Sequence, residues 1–167
     1  MLDISQLVIV SGGQTGADRA ALDFALQHGI PHGGWCPNGR RAEDGPISDI
    51  YQLEETPSRR YEQRTKWNVR DSDATVVMTI SRQAIGGSGL TLGVARSCAK
   101  PHLHLAKDSF RRLPLKNAAE SLKDFLAEHQ VRRLNVAGPR ASQEPNIAAF
   151  VHQVLSTALS VGHDIPD

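Results

Sequence analysis

The sequence predicts a doubly wound α/β domain, three layers around a mainly parallel sheet, formed as a single domain by residues 1 to 167. Three observations lead there. Short apolar runs of strand length alternate with amphipathic runs of helical period, and no internal repeat interrupts them. The run ATVVMTI over 74–80 is continuous and rich in β-branched residues, as a strand covered on both faces should be. Glycine-containing turns follow the carboxyl ends of three strands, on the edge where open α/β sheets place their ligands.

The elements follow in order. LVIVS over 7–11 is the first strand; it breaks at Gly12 and Gly13 and gives way to a helix over 18–29, with Leu22, Ala25 and Leu26 on one face and Gly29 as its stop. A short strand is expected near 32–36 and a short edge strand at 51–55. Ser58 can cap a helix over 59–70, and 74–80 is expected to be the central strand. Helices over 90–98, 116–129 and 145–161 and strands over 102–106 and 133–138 complete the alternation. If the first strand and 74–80 flank the reversal of strand order, the turns at Gly12, Gly13 and Gly16 and at Gly86, Gly87 and Gly89 face each other. Helix N-termini stand behind both, which suits a phosphate or other oxyanion. Gly138, Pro139 and Arg140 form a third turn on the same edge.

Composition narrows the function classes. A chain of 167 residues with 19 basic and 18 acidic side chains carries a net charge of +1, so no overall field draws in a polyanion and a nucleic-acid partner is not expected. No apolar run approaches the roughly 18 residues of a membrane span. Two cysteines form no framework, and Met1-Leu2-Asp3 enters the first strand without a basic and apolar leader, so a reduced, cytoplasmic setting is expected.

The glycine loop GGQTGADR over 12–19 lacks the lysine and the length of a Walker A loop. Read as a dinucleotide fingerprint it has Ser11 in place of the first glycine, and no acid follows about twenty residues on. It is either a positive-φ turn or an anion loop. Residues 37–57 have little predicted structure and read as a lid or binding loop, with Arg40 and Arg41 beside Glu43 and Asp44. In the following helix Tyr61, Arg64, Thr65 and Asn68 form a polar stripe of the kind that usually faces solvent. Seven histidines show no H-x-x-x-H pair and no metal site is expected, although His102 and His104 share a strand face. Cys36 reads as a buried small apolar side chain. Ser11 and Ser88 border glycine turns without a nucleophile elbow, so their hydroxyls suit donation to a phosphate.

GGQTGADRAALDFA, GWCPNGRRAEDG, YEQRTKWNVRDSDATVV, GGSGLT and GPRAS together resemble the putative molybdenum carrier family, a Rossmann-like branch related to the Lonely Guy phosphoribohydrolases. The resemblance runs from about Val8 to the last helix. It implies a first ligand loop with Gly13, Gly16 and Asp18, a second with Arg40, Glu43 and Asp44, and a third with Gly87, Gly89 and Thr91. Gly12, Gln14, Thr15, Arg41 and Ser88 complete the candidate ligand-binding set. Where the phosphoribohydrolases carry a catalytic glutamate, this chain has Gly93, which removes the device for N-glycosidic cleavage unless Glu43 or Asp44 substitutes. The expectation is a binding protein for a phosphorylated pterin or nucleotide, with molybdenum cofactor as the named possibility and a homo-oligomer, dimer or tetramer, as its form. The alternatives are a nucleoside monophosphate glycosidase and a nucleotide sensor.

Overall fold

The computed structural model describes residues 4–110 and 116–159. Met1-Leu2-Asp3, the expected helix end at 160–161 and His163 lie outside the described residues. The main sheet has five parallel strands: β1 (Val8–Val10), β2 (His32–Gly33), β7 (Ala74–Thr79), β8 (His102–Ala106) and β9 (Arg133–Ala137). Their order is β2-β1-β9-β7-β8. The last strand therefore sits in the middle, pairing Ile9 with Leu134 on one side and Thr75 with Asn135 on the other. This corrects the expectation that 74–80 is the central strand: it and the first strand lie on either side of β9. β7 is an interior strand with all six residues buried, but its neighbours are β9 and β8. A fully apolar run reports burial, not position in the sheet order.

Helices α1 (Ala17–Gln27), α4 (Lys116–Glu128) and α5 (Ile147–Ala158) cover one face of the sheet. Phe24, Leu122, Leu126, Phe150 and Leu155 pack there against Ala74, Val76, Met78, Leu134 and Val136. Burial of these side chains supplies the main drive for folding, at about 25 cal/mol per Å² of apolar surface. Helices α2 (Tyr61–Arg70) and α3 (Gly86–Ser97) pair with each other over the other face. Strand alternation turns Thr75, Thr79 and Asn135 toward that layer, so it is markedly more polar.

The expected strand near 32–36 is two pieces. β2 belongs to the main sheet, whereas β3 (Trp35–Cys36) pairs in parallel with β6 (Glu54–Glu55). Residues 37–57 are not a structureless lid. They fold a hairpin, β4 (Arg41–Ala42) with β5 (Gly45–Pro46), over a second small core of Leu22, Cys36, Ala42, Ile47 and Tyr51. α3 begins at Gly86, earlier than the expected 90, so Gly86, Gly87 and Gly89 form its first turn instead of a separate loop.

Candidate functional site

A cleft of about 270 Å³ opens where α2 and α3 meet the polar side of the sheet. Asn135, Val136 and Ala137 of β9 form its base. Tyr61, Arg64, Thr65 and Asn68 come from α2, and Gly87, Ser88 and Thr91 from the start of α3. Gly12, Gln14 and Asp18 enter from the loop after β1, and Pro139, Arg140 and Gln143 from the loop after β9. Asn135 donates to Thr75 Oγ1 at 3.2 Å, one of the polar pairings that replace apolar packing under the two helices.

The chain itself occupies the first glycine loop. Arg64 Nη1 donates to Asp18 Oδ2 at 2.7 Å, with side chains 12% and 5% exposed, so the ion pair is nearly dry. The guanidinium lies across Gly12 so closely that a Cβ there would fall 1.7 Å from Nη1. Gly16 has φ +82°, and a Cβ on it would stand 2.4 Å from the Pro139 carbonyl oxygen, which accepts the Ala17 N–H. Thus Gly12 makes room for an arginine and Gly16 for another loop's backbone.

Among the described residues, the buried donors Gln14 Nε2 and Arg64 Nε, on two side chains that line the cleft, have no hydrogen-bond partner. Gln14 is 4% exposed, and its Oε1 already accepts the Thr15 and Glu43 N–H groups at 3.0 and 2.9 Å. An unpaired buried donor is costly, which makes both groups markers for an acceptor brought by a ligand. Positive charge concentrates nearby. The guanidinium carbons of Arg140 and Arg64 stand 5.2 and 5.5 Å from the Tyr61 ring centroid, and Arg41 covers the same ring at 4.7 Å.

The candidate residues from the sequence divide. Gly12, Gln14, Asp18, Gly87, Ser88 and Thr91 line the cleft, whereas Gly13, Thr15, Gly16, Arg40, Arg41, Glu43, Asp44 and Gly89 do not. Arg40 donates to the carbonyls of Ile47, Ser48, Tyr51 and Leu53 and its Nε stands 3.7 Å from Asp49 Oδ1, which uses its guanidinium inside its own loop. Arg41 donates to the Arg59 carbonyl. Glu43 accepts from Thr15 Oγ1 and, at 3.2 and 2.5 Å, from Ser142 N and Oγ. Those bonds, led by Ser142, hold its carboxyl below the usual range. Asp44 is held low by the hydrogen bond from Arg19. Glu43 joins the hairpin to two loops and Asp44 joins it to helix α1.

The family described as circularly permutated YpsA SLOG matches residues 9–159. The chain belongs to that family. A permuted chain order agrees with a sheet whose last strand lies inside, next to its first. No curated protein matches this circularly permuted SLOG chain. Among solved structures it is similar to one from Syntrophus aciditrophicus SB, named a putative molybdenum carrier protein. The identity is 43% and the TM-score 0.87, with 93% of this chain and 96% of that one covered.

In this SLOG chain the polar stripe on α2 was visible in the sequence but expected to face solvent. Thr65 and Asn68 are buried, and all four stripe residues line the cleft. Asn68 pairs with both backbone groups of Trp35, at 2.7 and 2.9 Å, which docks α2 on β3 and turns the stripe inward. Asn135 and Gln143 were not foreseen. A lone asparagine inside an otherwise apolar strand, LNV over 134–136, was the available signal for the first.

Proposed function

We propose that the cleft binds a small phosphorylated ligand, a nucleotide or a phosphorylated pterin such as molybdenum cofactor, and holds it by its anionic group. The observation that carries this reading is the convergence of two orphaned buried donors, Gln14 Nε2 and Arg64 Nε, with Arg140 and the glycine-rich first turn of α3 on one cleft. Bare N–H groups at a helix start favour an anion, and guanidinium groups strengthen the preference. The donor set suits the phosphate and polar edge of a pterin cofactor. The metal would travel on the cofactor, without protein ligands. The name of the Syntrophus relative supports the same ligand class. Free thiols at buried Cys36 and exposed Cys98 suit a reducing compartment.

The glycosidase alternative assigns its carboxylate to Glu43 or Asp44, and both lie outside the cleft lining; of the acids that do line it, Asp18 is committed to Arg64 and Glu62 stands on α2. Calorimetric titration with inorganic phosphate, AMP and molybdenum cofactor tests the proposal. At least one should bind, and Arg140→Gln should weaken it roughly tenfold, as loss of a charged hydrogen-bond donor does. Failure of all three to bind the parent protein overturns it.

A further inference from the structure

A second cleft of about 260 Å³ adjoins the first, and Ser88, Pro139 and Gln143 line both. Its remaining lining is Thr79, Ser81, Gln83, Ile85 and Glu144. The two clefts differ in their charged groups. Arg64, Arg140, Asp18 and Glu62 line the first, with Arg64 paired to Asp18, whereas among the described residues the one charged side chain lining the second is Glu144.

Glu144 is held in position by backbone. Its Oε2 accepts the Ile80 N–H at 2.6 Å, and its Oε1 accepts the Ser81 N–H and hydroxyl at 3.3 and 2.6 Å. No basic side chain among the described residues pairs with it. Three donors fix the carboxylate and account for about three of its four lone-pair sites, so Oε2 keeps capacity for one more donor. Gln83 and Gln143 line the same space, and a side-chain amide there can supply a neighbouring acceptor. Ile85, 73% exposed, stands at the joint between loop and helix α3 and offers an apolar surface beside these polar groups.

We propose that this second cleft seats the ring of the ligand and favours a heterocycle with adjacent N–H donors, the ring N–H and exocyclic amine shared by guanine and pterin, with Glu144 Oε2 accepting one donor and the side-chain carbonyl of Gln83 or Gln143 the other. The inference rests on the anion reading of the first cleft, because a molecule anchored there by its phosphate reaches past Ser88 into the second. An adenine ring presents an acceptor nitrogen beside its amine, so when the amine meets one of the two acceptors a lone pair is set against the other. A site built around a donor-reading carboxylate discriminates strongly against a ring that lacks the donors. The face of Ile85 adds nonspecific contact that any planar ring can use.

The test is titration of GMP, IMP, AMP, 7,8-dihydroneopterin monophosphate and inorganic phosphate against the parent protein, Glu144→Gln and Ile85→Ser. GMP or the pterin phosphate should bind at least roughly tenfold tighter than AMP, with IMP between, and the stronger of the two identifies the source of the ring. Glu144→Gln should bring that ligand to within about threefold of AMP and leave inorganic phosphate unchanged. Ile85→Ser, an exposed change that spares the fold, should weaken all four ring-bearing ligands while sparing inorganic phosphate. Equal binding of AMP, GMP and the pterin phosphate by the parent protein overturns the ring seat but not the anion site. So does a preference that survives Glu144→Gln, or an Ile85→Ser variant indistinguishable from the parent. Loss of all binding, inorganic phosphate included, sinks the anion reading and this inference with it.

Discussion

Gly12 and Gly16 stand four residues apart in one loop, yet substitution should test different things. At Gly12 the obstacle is the far end of Arg64, a flexible side chain that can move. Gly12→Ala should therefore fold, lose the Asp18 ion pair, cost about 1 to 3 kcal/mol in urea unfolding and alter anion affinity. At Gly16 the obstacle is backbone, at positive φ. Gly16→Ala should cost upward of about 3 kcal/mol or fail to fold, because neither Pro139 nor Ala141 can yield. Comparable unfolding midpoints for the two variants would contradict this. Tyr51 gives a residue-level pH test. Burial first, and then its hydrogen bond to Asp23, push the phenol up to about 12 from an ordinary value near 10. The folded state thus retains the proton longer than the unfolded state. The resulting stability, about 3 kcal/mol, is complete below pH 10 and lost as pH rises through 12. Tyr51→Phe should flatten that alkaline loss in denaturation curves measured between those limits.

Among the elements, the segment over 37–57 behaves as a small packed layer because Arg40 holds it from within. A positive φ of 53° turns the Arg40 backbone, and its guanidinium gathers the carbonyls of Ile47, Leu53 and Tyr51, the last shared with the Leu53 N–H. Arg40→Met keeps much of the side-chain volume but removes those donors. Amide hydrogen exchange over residues 41–56 should speed by about tenfold or more, with a smaller change over β7 and β9. Unchanged exchange in that segment would mean that the apolar cluster around Ile47 and Tyr51 suffices by itself. Helix α2 poses the complementary case. Its docking depends on Asn68 replacing a strand neighbour for Trp35, so Asn68→Leu should leave two backbone groups unpaired and lower stability by about 2 to 4 kcal/mol. Near-wild-type stability would show that water or another side chain takes over both bonds.

For the whole molecule, the cleft proposed to hold the ligand lies between layers, so occupancy should be felt globally. A ligand at about a hundred times its dissociation constant adds roughly 2.7 kcal/mol. In a domain of this size that raises the melting temperature by roughly 5 to 10 °C. Arg140→Gln at the same ligand concentration should lose much of that rise, and an equal rise in both proteins would remove Arg140 from the site. The alternation of β7, β8 and β9 with their helices was legible because apolar period and length are local properties. So was the burial of Cys36, an apolar side chain at the end of a short strand. The loop candidates Gly12, Gln14, Asp18, Ser88 and Thr91 were legible as neighbours of strand ends, and the structure brings them to one cleft. Arg40, Glu43 and Asp44 carried the same kind of signal and went elsewhere, because a charged side chain near a strand end can meet a carbonyl, another loop or solvent equally well. Sequence alone thus determined the α/β class and the edge on which the cleft lies, since both follow from periodicity and from where glycine permits a turn. Tertiary structure alone decided that β9 enters between β1 and β7 and that α2 turns its polar stripe inward. Strand order and helix rotation depend on pairings between residues far apart in the chain, Thr75 with Asn135 and Trp35 with Asn68, which no local pattern encodes.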